Sequence, residues 1–413
     1  NLTGVFDNTG STFTFTAATG SWNLAGGTIM GGTVVFTGPN RLVMTPSSGT
    51  LTDVVVVGDL LLDTTSASVR ASGSTRFTAA RLSANATTIH FAPGYTLADL
   101  IVSEGAAAGQ RSVVGAFGGE GTLTIGPTGV IRLAAGSGGG LGINNSNNLT
   151  LINNGTIAAE AAGRSLSITA HTVLNISKGV LTGGTWIASG TSVLSFSSSP
   201  AIVTNNANVT VGSATSFPSL ATLSTNNGSL STAGGGAFVI TPAGGTLASS
   251  GAITLTPGNT IAVTGNIALA PSTTLNVQVQ GTTPATIGHL NATGSIALGG
   301  VVNIVGVNGF DGDCINSPFI NAASVTGQFT TQTLPTAHEG AQAFLVYIAG
   351  EVRFAISPPS DYNRDGFLNS QDIFDYLSQF FIQSEEADFN GDGFVNSQDF
   401  FDFIGDFFMG CPH

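Results

Sequence analysis

Near the C-terminus, two twelve-residue stretches repeat one arrangement of oxygen-bearing side chains. Asp361, Asn363, Asp365, Asn369 and Asp372 stand at positions 1, 3, 5, 9 and 12 of the first, with Gly366 at position 6. Asp388, Asn390, Asp392, Asn396 and Asp399 repeat the pattern 27 residues later, with Gly393 at the sixth place. Hard oxygen donors at these intervals, with a glycine where the chain turns sharply, are what a loop needs to wrap a calcium ion. Two calcium ions are the expected cofactors.

Each loop must be held by a neighbouring element, and both loops run directly into apolar residues of helical period. The first helix is expected from about Ser370, burying Ile373, Leu377, Phe380 and Phe381. The second is expected from near Ser397, burying Phe400, Phe403, Ile404 and Phe407. Two loop–helix units with Asp at position 12, and no entering helix before the first loop, resemble the dockerin family over the last 53 residues. The resemblance implies a small α-helical, EF-hand-like module. In it the five oxygen side chains of each loop, with the carbonyls of Phe367 and Phe394, hold one ion apiece. It also implies docking, since dockerins plug an enzyme or another module into a cohesin partner. Ser370-Gln371 and Ser397-Gln398 sit where dockerins carry partner-reading pairs, and their identity permits binding in two orientations. Eleven of the chain's 26 Phe lie in this tail. Two short helices need fewer for a core, so the surplus predicts packing onto the chain's own body or a neighbouring molecule.

The body before the tail is of a different kind. Only 8% of the 413 residues are charged, against about 25% in ordinary soluble proteins, and Lys178 is the single lysine. Helices need charged residues to coat them, so the body is expected to be β. Ser11-Thr12-Phe13-Thr14-Phe15-Thr16 alternates strictly, as a half-buried strand does. A loose motif then recurs: a residue that is mostly Gly or Asn (Ser48 and Glu120 in two instances), then Gly, Thr or Ser, and a large apolar residue. It ends at Ile29, Val34, Leu51, Leu123, Ile157, Trp186, Leu230 and Leu247. Short strands broken by Gly and Asn corners bury their apolar residues by stacking as successive coils. Asn pairs (144–145, 147–148, 153–154, 205–206, 226–227) suit corners at which amides stack. The expected fold is mainly β: a parallel β-solenoid (β-helix) over 1–270. At ~20 residues and ~4.8 Å per coil it would be about 60 Å long. A β-sandwich or several small β-domains is the alternative.

Residues 271–357 resemble the β-rich cap that closes many secreted bacterial β-solenoids, including autotransporter-type passengers. The matching positions are Leu290, Gly294, Leu298, Gly300 and Ile304, then Asn308-Gly309-Phe310, Val325, Gly327, Phe329 and a closing strand over 351–356. His289 stands where an acid is usual, and Cys314 looks like an addition. Ser357-Pro358-Pro359-Ser360 reads as a stiff boundary before the module at 358–413. Cys314 and Cys411 fit an oxidising compartment. They either bridge within one chain, pinning tail to cap, or join successive subunits.

The net charge of −13 is concentrated in the tail, where eleven acids and the lone Arg364 leave −10. No basic stripe exists to neutralise phosphates, which excludes nucleic acid as a partner. No apolar run approaches a transmembrane span, and a chain starting at Asn1 without Met reads as processed and exported. For catalysis, Asp7, Asp53, Asp59, Asp63, Asp99, Glu104, Glu120 and Glu160 are scattered. Asp59 and Asp63 near Arg70, Arg76 and Arg81 form the one acid–base group, read as a solvated edge. Histidines 90, 171, 289, 338 and 413 stand alone, without triad or ligand spacing. The expectation is an extracellular, cell-surface, non-enzymatic structural or adhesive protein. Its calcium module docks onto another copy of itself, building fibres, or onto a cohesin-like domain. The alternative is a polysaccharide-active enzyme, or a polysaccharide-binding module, attached through a dockerin.

Overall fold

A strand of three to five residues buries one face only if it pairs with its equivalents in the turns of chain before and after it. Such pairing organises the computed structural model, which describes residues 1–145, 148–338 and 340–411. Two expectations, the corner at Asn147 and the isolated His413, lie outside the described residues. The chain is mainly β and forms two compact units, Asn1–Phe238 and Val239–His413.

In the first unit nine strands from Val5–Asp7 to Val193–Phe196 stack in sequence order, every pair parallel. Each step advances the chain by between 20 residues (Val69↔Ile89) and 30 (Val113↔Ile143). A second parallel run links Asp59–Leu62, Ala79–Leu82, Leu100–Ser103, Val130–Leu133, Thr156–Ala159 and Val180–Ala188. Inward residues of both runs, such as Ile89, Val113 and Ile143 or Leu60, Leu82 and Ile131, are inaccessible to solvent. All eight apolar residues that close the Gly/Asn-Gly-Thr/Ser motif are buried, from Ile29 to Leu247. At the corners, Asn205 and Asn226 are in register, fully buried and joined Nδ2 to Oδ1 at 2.9 Å. Asn175 both accepts from Asn153 N (2.7 Å) and donates to Asn153 O (2.8 Å). An amide offers donor and acceptor together, so it can satisfy buried backbone between coils where a hydroxyl or a carboxylate would leave a group unpaired.

In the second unit parallel stacking continues into the region expected to be a cap. Thr274–Val279, Val301–Gly306 and Thr331–Thr333 pair in the same sense. The order changes at Glu351–Ser357, which pairs antiparallel with both Ile315–Asn321 and Gln342–Ile348. This hairpin covers an edge that would otherwise present unpaired backbone groups. The boundary after it is not a free spacer: Ser357, Ser360 and Asp361 are all buried.

Two basic side chains in the first unit, Arg111 and His90, have testable consequences. Arg111 is wholly buried, and its guanidinium donates to Ser83 O, Ala107 O and Ser137 Oγ at 3.0, 2.9 and 3.1 Å. Arg111→Ala removes these donors and opens a void, so it should lower stability by about 3 kcal/mol in denaturant titration. Arg132→Ala, which breaks an exposed pair with Glu160, should cost under ~1 kcal/mol. His90 lies against the Phe117 ring (4.8 Å) and is held down to about 4, by burial first and the Arg70 charge second. It is neutral in the fold, whereas the unfolded chain binds a proton near 6.5. The unfolded state therefore holds more protons between these values, and stability falls as pH drops from 6.5 towards 4. His90→Gln should flatten the midpoint-versus-pH curve in that window.

Candidate metal centre

Two helices, α1 (Ser370–Phe381) and α2 (Ser397–Met409), carry the tail, and each is capped by the asparagine at position 9 of its loop. Asn369 Oδ1 accepts from Gln371 N at 2.9 Å, and Asp372 Oδ2 accepts from Asn369 N at 2.8 Å. Asn396 and Asp399 repeat both bonds at 2.8 Å. Positions 9 and 12 are thus a reciprocal helix cap as well as loop oxygens, which fixes loop to helix.

The helices meet through Tyr376 and Phe403, whose rings are 4.1 Å apart and 4° from parallel, both fully buried with Ala387. Ile373, Phe380, Phe400, Ile404 and Phe407 pack round them, as the helical spacing predicts. Phe381 does not join them. As the last residue of α1, one position past the inward Phe380, it turns to solvent and is 76% exposed. Leu377 is half-buried. Tyr376, which periodicity did not single out, takes the centre and donates its hydroxyl to Ala387 O at 3.2 Å.

Inside each loop the backbone closes on the Asp and Asn side chains in the same order. Asp365 N donates to Asn363 Oδ1 (2.9 Å), Gly366 N to Asp361 Oδ2 (3.0 Å) and Phe367 N to Asp365 Oδ1 (2.8 Å). The second loop matches: Asp392 N to Asn390 Oδ1 (3.0 Å), Gly393 N to Asp388 Oδ2 (2.8 Å) and Phe394 N to Asp392 Oδ1 (2.9 Å). Gly366 and Gly393 have φ of +81° and +88°, so position 6 is glycine in both. Asp375 and Asp402, absent from the sequence-derived site, each hold the loop's Asn363 or Asn390 Nδ2 at 3.3 Å. They also accept from Gln371 and Gln398 at 2.8 and 2.7 Å. Their signal was available, since they too recur 27 residues apart.

Burial, with the nearby Asp361 and Asp365 carboxylates, raises the Asp372 pKa against the pull of Asn369 N and Asn363 N. Burial also raises that of Asp399, but the N–H groups of Asn396 and Asn390, helped by those of Asp399 and Phe389, outweigh it and hold the carboxyl below its usual value. The fit to a cation is clearest at Asp361, only 2% exposed, whose Oδ1 has no hydrogen-bond partner among the described residues. Leaving a buried carboxylate oxygen unpaired is costly. Donors made of carboxylates, amide oxygens and a carbonyl suit a hard cation such as calcium, not the softer transition metals. Among the described residues no three His, Cys, Asp or Glu side chains converge as a ready metal cluster. Half of each loop's donors are asparagine and backbone oxygens, and the loop carboxylates accept from the loop's own N–H groups.

The remaining candidates are dispersed. Arg81 bridges Asp59 (2.6 Å) and Glu104 (3.1 Å), Arg41 pairs with Asp63 (2.6 Å), and Arg76 with Asp99 (2.8 Å). Asp59 and Asp63 therefore go to different arginines, while Arg70 lies over the Phe117 ring at 4.3 Å. His289 contacts Pro284 O at 2.8 Å. Cys314 and Cys411 are joined in a disulfide within the chain, their Cα atoms 5.9 Å apart. Among the described residues no helix is long and apolar enough to cross a membrane.

No protein-family model, curated protein or solved structure matches the chain.

The stacked pair gives a direct test of how the tail is held. Phe403→Ala should cost about 3–5 kcal/mol and speed thermolysin cleavage within α1 and α2 by at least about a hundredfold, through local opening. Phe401→Ala, at a position 64% exposed, should leave cleavage within a few-fold of the parent.

Proposed function

We propose that the chain is an exported, non-catalytic parallel β-solenoid whose tail is a dockerin-like, calcium-folded module that grips a protein partner. The observation that carries this reading is a duplicated aromatic display. Phe374 and Phe401 are both 64% exposed, Phe381 and Phe408 are 76% and 78%, and Phe367 and Phe394 are 53% and 73%. Each pair is separated by the 27-residue repeat. Monomer surfaces rarely leave so many large rings open, and buried aromatic rings supply much of the energy of protein interfaces. Calcium serves to fold this connector. The disulfide and the scarcity of charge suit a protein that works outside the cell.

The partner in this reading is a second copy of the chain. Each ring occurs twice at equivalent places, so one molecule can hold two neighbours, and a contact that does not close on itself extends into a fibre. The tail's charge favours a second reading. Its −10, reduced by four when two calcium ions bind, would suit a separate protein with an apolar groove and a basic rim, as a cohesin-like domain would provide.

Sedimentation velocity over a range of concentrations, in calcium and then in chelator, separates the two. Self-docking predicts calcium-dependent assembly that Phe401→Ser with Phe408→Ser abolishes. Monomers throughout, in calcium, would rule out the second copy as partner. Release of sugar ends from pectin-like or alginate-like polymers would contradict the non-catalytic body.

A further inference from the structure

The two loops are alike in sequence and unlike in surroundings. Asp361 is 2% exposed, with Oδ2 accepting from Ser357 Oγ at 2.5 Å and Oδ1 without a partner among the described residues. Its counterpart Asp388 is partly exposed, and its Oδ1 accepts from Asp392 N at 3.1 Å. Asn316 Nδ2 donates to Gly366 O at 2.8 Å, while Asn316 Oδ1 accepts from Arg353 Nη1 at 2.9 Å. The Arg353 guanidinium in turn sits 5.4 Å from the Phe367 ring. A Cβ on Gly366 would come within 2.6 Å of Asn316 Nδ2, whereas one on Gly393 would meet nothing within 4 Å. Strands Ile315–Asn321 and Glu351–Ser357 therefore both grip the first loop, and the hydrogen bonds described for the second loop stay within the tail.

We propose that the two calcium sites are unequal: an ion in the first loop is a clasp that fastens the tail to the β-hairpin, and an ion in the second serves the tail alone. The inference rests on the calcium reading of the loops. Ser357 and Gly366 N already hold one Asp361 oxygen in place, so a cation entering there finds a preorganised ligand and fills the unpaired oxygen. Without the ion, the buried Asp361 oxygen has nothing to offset its charge, and the relief is for Asp361 to move outward, drawing residues 357–361 with it. The second loop is already near solvent. Among the described residues its helix bonds to this region only through Asp406, which accepts from Ser360 N at 2.9 Å, and through the Cys411 disulfide. The same loss there therefore leaves the paired strand Glu351–Ser357 in place.

Calorimetric titration with calcium chloride, paired with hydrogen exchange, tests this on the full chain with its disulfide intact. Two ions should bind with affinities at least tenfold apart. Asp361→Asn should remove the tighter ion and speed exchange over residues 351–361 at least tenfold. Asp388→Asn should remove the weaker ion and leave the amides of the strand Glu351–Ser357 within twofold of the parent. Asn316→Ala, which alters no ion ligand, should weaken the tighter site several-fold and leave the other unchanged, and it serves if Asp361→Asn does not fold. Two ions of equal affinity, with both Asp variants loosening 351–361 alike, would overturn the clasp and leave the calcium reading standing. No heat and no change in exchange at millimolar calcium would overturn both.

Discussion

Everything in this chain depends on each short strand finding its equivalent one turn further along. A strand of four residues gains little from its own contacts. Paired parallel above and below, it completes its backbone hydrogen bonds and adds one layer to a continuous core. The side-chain period of two makes that pairing unforgiving, because a slip of one residue would turn the whole inward set to solvent. The corners prevent the slip: Gly and Asn let the chain turn, and the Asn205–Asn226 amide contact locks one coil onto the next. A body built this way needs few charges.

The charges it has are largely committed. Arg81 is shared between Asp59 and Glu104, and Arg111 is spent on carbonyls of neighbouring turns. The chemistry-bearing residues gather in the tail, where eleven acids meet a single base. Cations bound there would offset part of that imbalance. The disulfide, the Asn316 bond to Gly366 and the Ser357 bond to Asp361 tie the tail to the strands before it. Its exposed rings therefore stand on a fixed platform, not on a swinging linker.

Much of this was legible in the residues themselves. All eight apolar residues marked by the Gly-containing motif are core, and α1 and α2 start where the apolar period placed them. These features are local: a turn residue, a cap and a period are properties of a few neighbouring positions. What stayed hidden depends on partners distant in sequence. Tyr376 becomes the centre of the tail only because Phe403 stacks on it, and Phe381 is exposed because no element covers the end of α1. Nothing in Ser357 or Asn316 announces contact with a loop that begins at Asp361. Sequence also left Cys314 and Cys411 with two options, since spacing carries no information about which chain supplies the partner. Strand direction in the cap was hidden for a related reason. The resemblance rests on residue types, while the parallel sense of Val301–Gly306 and Thr331–Thr333 is set by pairing.

The central claim is that the tail is a calcium-folded connector. Native mass spectrometry of the intact chain, equilibrated with calcium and sprayed from a volatile buffer, tests it most directly. The expected spectrum carries the mass of two calcium ions on each chain, with higher-order species that disappear along with the ions after chelation. A spectrum of bare monomers at the mass of the polypeptide alone, unchanged by calcium, would contradict it.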